Sequence, residues 1–143
     1  MQVSARVHYG CLAMLELALR HDQDRPVSLR EIVGRHAIPQ PFLVQILQSL
    51  RSSGLVTSTR GSSGGYRLAL PPGQITLIAI AEAIGCGDAT CSAAESGVAS
   101  GEQESVRQVW ARADEAAREV LAQTRLSDLV DACAHSSESM FYI

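Results

Sequence analysis

Aromatic residues are scarce, with two Phe, three Tyr and one Trp among 143 residues. A core so poor in rings has to be built from Leu, Val, Ile and Ala, which suits packed helices better than a sheet sandwich. Long apolar runs are also missing: the longest, Ile75 to Ile84, is interrupted by Glu82 and follows Pro71-Pro72, which excludes a membrane span. The opening residues MQVSARVHYG contain neither an apolar stretch nor a small-residue cleavage site, so a cytoplasmic protein is expected. Cysteine occurs only at positions 11, 86, 91 and 133, and in a reducing compartment these are thiols or metal ligands rather than a disulfide framework. No phosphate loop, Ser/His/Asp grouping or paired carboxylates can be placed in a cleft, so the chain is read as not being an enzyme. The length fits one unit with extensions.

The formal net charge of −3 conceals an asymmetry. Residues 1–70 hold eight Arg against four acids, net +4, whereas residues 71–143 hold four Arg against eleven acids, net −7. Such a split is expected when one lobe faces phosphate and the other faces something else, although an uneven distribution can also be incidental.

Hydrophobic periodicity orders the chain. From Ala5 to Leu19 the positions Val7, Cys11, Met14, Leu15, Ala18 and Leu19 recur at spacings of three and four, the pattern of an amphipathic helix. Ser28-Leu29-Arg30-Glu31 reads as a capping box opening a short second helix to about His36. A third helix is expected from near Pro41 to Gly54, with Phe42, Leu43, Ile46, Leu47 and Leu50 turned inward. Two strand-like runs, Val56 to Arg60 and Tyr66 to Leu70, flank the loop Gly61-Ser62-Ser63-Gly64-Gly65 and predict a hairpin. A fourth helix is expected over Thr76 to Ile84, and a Gly/Ala/Ser-rich loop with Cys86 and Cys91 over residues 85–102. Next comes a long helix from Glu102 to Gln123, whose seam of Val106, Val109, Trp110, Ala113, Ala117, Val120 and Leu121 needs a partner chain to cover it. A short helix from about Leu126 to Ala134, a polar stretch and the tail Met140-Phe141-Tyr142-Ile143 complete the chain.

This order of elements predicts a mostly α fold, a winged helix-turn-helix with a long dimerisation helix. Residues 1–73 form the expected DNA-binding region; residues 74–143 supply the linker helix, loop, dimerisation helix and tail. The outward positions of the third helix, Gln40, Gln45, Gln48, Ser49, Arg51 and Ser52, can bond base edges or phosphates. Arg60 precedes glycines that let the backbone approach a phosphate or enter a minor groove. Taken singly, a Gly-Ser loop is often only a turn and a Gln-rich face only solvated; their order and spacing together carry the assignment.

The segments VSARVHYGCLAMLELAL, SLREIVGRHAIPQPFLVQILQSLRSSGLV, TSTRGSSGGYRLA and LSDLV resemble the Rrf2 family of transcriptional regulators over almost the whole chain. The RGSSGGY wing after GLV is the most specific part of that likeness. The resemblance implies a homodimer with the long helix crossing between subunits, acting as a repressor on a palindromic double-stranded operator. It assigns DNA contacts to Gln40, Phe42, Gln45 and Arg51 in the helix and to Arg60, Gly61, Ser62, Ser63, Gly64 and Gly65 in the wing. One departure is Val44, where the family's iron–sulfur regulators carry Glu, a position that influences which operator is accepted.

Many members of that family hold an iron–sulfur cluster through three Cys before the long helix. Cys91 falls where the first ligand is expected, but the later positions hold Glu104 and Arg107, so three thiolates are not found. A residual site would combine His8, Cys86 and Cys91; the alternative, which we favour, is that these are loop thiols without a cofactor. Cys11 is expected to face the core, and Cys133 with His135 to be incidental. The ending MFYI, with EVL and LSDL before it, resembles the family's cluster-free regulators of cysteine metabolism. That likeness implies docking of Phe141, Tyr142 and Ile143 to cysteine synthase, an enzyme that accepts a terminal Ile from serine acetyltransferase. Folding of the tail onto its own dimer is the other option.

Overall fold

The computed structural model describes residues 3–85 and 100–140. Four polar residues each stand one position ahead of a helix and cap it. Ser4 accepts from the Val7 N–H and opens α1 (Ala5–Leu19). Ser28 accepts from the Glu31 N–H while the Glu31 carboxylate accepts from the Ser28 N–H, the full reciprocal box at the head of α2 (Leu29–His36). α2 ends on Ala37, whose φ of 51° turns the chain through the left-handed region before α3 (Gln40–Ser52) begins. Thr76 caps α4 (Leu77–Ile84), and a second capping box, Ser100 with Gln103, opens the long α5 (Gly101–Gln123). α6 spans Leu126–Met140.

Between α3 and α4 lies the hairpin of β1 (Val56–Thr59) and β2 (Gly65–Leu68), antiparallel with Val56 opposite Leu68 and Thr59 opposite Gly65. Val27, just ahead of α2, adds a bridge to the outer edge of β2: its N–H donates to the Tyr66 carbonyl at 3.0 Å and its carbonyl accepts from the Tyr66 N–H at 2.8 Å. The start of α2 is thereby tied to the base of the hairpin. A 3-10 turn (Pro72–Gln74) leads into α4.

One hydrophobic core joins these parts. Met14 and Leu17 of α1, Ile32 of α2, Leu43, Ile46, Leu47 and Leu50 of α3, Ile80 of α4 and Leu126 of α6 are buried together. Gly10 has no Cβ where one would collide with the Ile84 side chain, so α1 and α4 close tightly. The start of α6 is held by backbone bonds, Leu77 N–H to Thr124 and Leu126 N–H to Ile75, at 3.0 and 2.8 Å.

Three expectations are corrected. Phe42, counted among the inward residues, is 48% exposed, because the inward stripe of α3 is filled by Leu43, Ile46, Leu47 and Leu50. Both strands end earlier than expected, at Thr59 and Leu68, and β2 begins at Gly65 rather than Tyr66. The polar stretch His135 to Ser139 is helical, not a connector; the Ser137 and Ser139 hydroxyls donate to the carbonyls of Cys133 and His135 one turn back.

Candidate nucleic-acid interface

α2 and α3, joined by the three-residue turn Ala37-Ile38-Pro39, form a helix-turn-helix, and the β1–β2 hairpin beside them is the wing. Burial of Ile38 pins the turn to the core. α3 therefore presents Gln40, Phe42, Gln45, Gln48, Arg51 and Ser52 to solvent, a face with amide, guanidinium and hydroxyl groups and no carboxylate. Ser49 is half-buried.

The wing is braced against this face. The Arg51 guanidinium donates to the Ser58 hydroxyl on β1 at 3.1 Å, so the end of α3 and the wing are positioned together. At the tip, Arg60, Gly61, Ser62 and Ser63 are exposed, and Gly61 takes a φ of 112° that a side chain would strain. Gly64 and Gly65 serve close packing instead. A Cβ at Gly64 would strike the Thr59 carbonyl, and one at Gly65 would lie 2.6 Å from the Val27 carbonyl carbon.

A charge network sets α2, and with it the turn into α3, on α1. Glu16 is 2% exposed, yet its carboxylate meets Arg20 at 2.8 Å and His36 Nε2 at 3.0 Å. Arg20 continues to Glu31 at 3.1 Å, and Arg25 reaches the same carboxylate at 2.8 Å. The Ser28 N–H and Arg25 hold the Glu31 carboxyl well below the usual range, down to about 2. Sequence reasoning missed both this buried acid and Ser58. A charged residue on a helix reads as exposed until its partners are known, and the partners of Glu16 come from the end of α2 and from the residue that caps α1.

All cationic side chains in the chain are Arg, since it contains no Lys. In the basic half, Arg20, Arg25 and Arg35 face carboxylates, and Arg67 donates to the Asp24 carbonyl. Arg30, in the first turn of α2, and Arg60 on the wing are exposed and form no ion pair among the described residues. Because Val27 bridges to Tyr66, the α2 start bearing Arg30 lies next to the wing base.

The expected subunit seam is open on α5: Val106, Val109 and Val120 are exposed, Trp110 is 64% exposed, Ala113 is exposed and Ala117 half-buried. Of the candidate metal ligands, His8 is exposed on α1, while Cys86 and Cys91 lie outside the described residues. So do Phe141, Tyr142 and Ile143, the residues for which the resemblance implies docking to cysteine synthase. Burial pushes the Cys11 thiol up, as befits a half-buried cysteine packed against the core. Glu104, standing where the resemblance expects a ligand, accepts from Arg107 at 2.7 and 2.8 Å and from Gln108 at 3.1 Å. Glu104 thus stands as an ion-paired carboxylate at a position where the resemblance expects a cluster ligand. Among the described residues no helix is long and apolar enough to cross a membrane.

Comparison with known proteins agrees with this architecture. Residues 3–132 match the model of the Rrf2 family, described as an iron-dependent transcriptional regulator. The HTH-type transcriptional regulator CymR of Bacillus subtilis is 35% identical over 144 residues, covering 100% of both chains. The solved structure of CymR, the global cysteine regulator of B. subtilis, superposes with a TM-score of 0.76 over 92% of this chain and 98% of that one, at 32% identity. The structure of T. potens IscR gives a TM-score of 0.75, 32% identity, and coverage of 93% and 88%.

Proposed function

The chain belongs to the Rrf2 family of transcriptional regulators, and from that premise we propose that it is a homodimeric repressor of genes of cysteine or sulfur metabolism, acting in the cytoplasm without a bound cluster. The observation that carries the DNA-binding reading is the coupled surface of α3 and the wing. The carboxylate-free polar face of α3 enters a major groove, and the wing, joined to it through Arg51 and Ser58, lays Arg60 and the backbone of Gly61 to Gly65 along the adjacent phosphates or minor groove. Residues 1–73 do the reading. Residues 74–143 pair the subunits through Val106, Val109, Trp110, Ala113, Ala117 and Val120; this division is one of roles, since α4 and Leu126 belong to the common core. The cysteine assignment is supported by full-length similarity to a regulator named for that role.

A second reading, a redox or iron sensor with a degenerate site at His8, Cys86 and Cys91, is supported by the likeness to IscR and the family's description. Iron and sulfide analysis of anaerobically purified protein separates the two. The first expects neither, and stoichiometric iron with a visible spectrum establishes the second. The DNA-binding reading itself is tested by titrating operator DNA at fixed salt. Arg60→Ala is expected to weaken binding by about 1–3 kcal/mol, and an unchanged affinity removes the wing from the mechanism.

A further inference from the structure

Phe42 is the one aromatic side chain on α3. Its ring is 48% exposed in the first turn, an apolar group set among the polar residues of the outward face. Its backbone is stiff: Pro39 and Pro41 bracket Gln40, and their fixed φ angles preset the first turn. Gln45 lies one turn on and is also exposed, while Leu43 and Ile46 are fully buried, so the ring and the amide share the outward face. Side chains three apart on a helix have Cβ atoms about 5–6 Å from each other. Base steps rise about 3.4 Å, so two such groups at the groove floor meet the same or neighbouring base pairs.

Their chemistry matches one kind of pair. The apolar group on the major-groove edge is the thymine C5-methyl, and the group that offers an acceptor beside a donor to a carboxamide is adenine, through N7 and N6. The rest of α3 does not favour G·C: it has no carboxylate to accept from cytosine N4, and its one cation, Arg51, lies in the last turn and donates to Ser58. Resting on the DNA-binding reading above, we propose that Phe42 and Gln45 together read A·T pairs, the ring packing on a thymine methyl and the amide bonding the adenine edge. Each operator half-site then carries this pair where α3 enters the groove.

The test uses full-length protein to select duplexes from a random library. In the selected duplex, deoxyuridine, which lacks only the methyl, replaces each thymine in turn, and 7-deazaadenine, which lacks only the N7 acceptor, replaces each adenine. A single deoxyuridine in one half-site is expected to weaken the wild type about fourfold, the effect of one methyl-sized group no longer buried, and to leave Phe42→Ala unaffected. One 7-deazaadenine is expected to cost the wild type roughly tenfold and Gln45→Ala nothing. A selected duplex that the wild type binds equally with every deoxyuridine overturns the proposal, as does an equal deoxyuridine penalty in wild type and Phe42→Ala. These replacements alter only the DNA, so the wild-type result does not depend on the folding of any variant. Failure to select any duplex sinks the DNA-binding reading itself, an outcome distinct from selection without methyl sensitivity.

Discussion

Replacing Gly65 by Ala tests whether the wing stands where α2 begins. The added methyl lies 2.6 Å from the Val27 carbonyl carbon and 3.0 Å from the Ser28 nitrogen, both backbone atoms that no rotamer change can move aside. Relief requires β2 to move off Val27, which costs the two bonds between Val27 and Tyr66, now 3.0 and 2.8 Å long. At roughly 1 kcal/mol each, with about 1 kcal/mol more for residual overpacking, Gly65→Ala should destabilise the protein by about 3 kcal/mol. Displacing the wing should also weaken operator binding, because the backbone of Gly61 to Gly65 is part of the proposed DNA-facing surface. Gly34→Ala provides the contrast. That residue is exposed within α2, and a methyl added there meets nothing within 4 Å, so the substitution should stabilise by about 0.5–1 kcal/mol through helix propensity alone. Urea unfolding of both variants at one protein concentration measures the difference, since the stability of the proposed dimer would depend on concentration. An unfolding midpoint for Gly65→Ala equal to that of wild type would refute the tie between wing and α2.

Trp110→Glu places a charge in the exposed apolar seam of α5 and should yield monomers by sedimentation, with operator binding lost although no DNA contact is touched; a stable, DNA-competent dimer would remove α5 from the interface. The low pKa of Glu31, about 2 against an ordinary 4.5, predicts acid sensitivity with a definite sign. A carboxyl depressed on folding contributes stability above its unfolded value and loses that contribution as pH falls from about 4.5 toward 2. Glu31→Gln, which keeps an oxygen for the Ser28 cap but not the charge, should therefore lose stability at pH 7 and show a flatter decline over that interval. Parallel declines for the two proteins would contradict the assignment.

The start of α2 was legible because it is encoded locally, whereas the similar box of Ser100 and Gln103 was read as loop. Ser28 and Glu31 are three residues apart and satisfy each other's backbone wherever the rest of the chain goes. The apolar period likewise gave the inward residues of α3, apart from Phe42, whose side chain belongs to the outward face. What stayed hidden depends on pairings distant in sequence. Gly65 reads as loop flexibility, but its lack of a side chain serves the approach of Val27, which precedes it by a whole helix-turn-helix. Ser58 reads as a solvated strand residue until α3 brings Arg51 to it. Glu16 reads as surface until Arg20 and His36 enclose it. The end of α6 was misjudged for a different reason: Ser and His suggest a turn, and only the hydroxyl bonds to the preceding turn reconcile them with a helix. Its last residues extend the helix to the edge of the tail, whose docking role rests on resemblance alone.

The central claim is that two copies of this chain present two α3–wing surfaces to one DNA duplex. Hydroxyl-radical footprinting of a selected duplex by the full-length protein, combined with binding stoichiometry, examines that claim most directly. A two-fold symmetric pair of protected half-sites, separated by about 10 base pairs or a multiple of that, with two chains per duplex, is the predicted result. A single asymmetric footprint, or one chain per duplex at saturation, would contradict it.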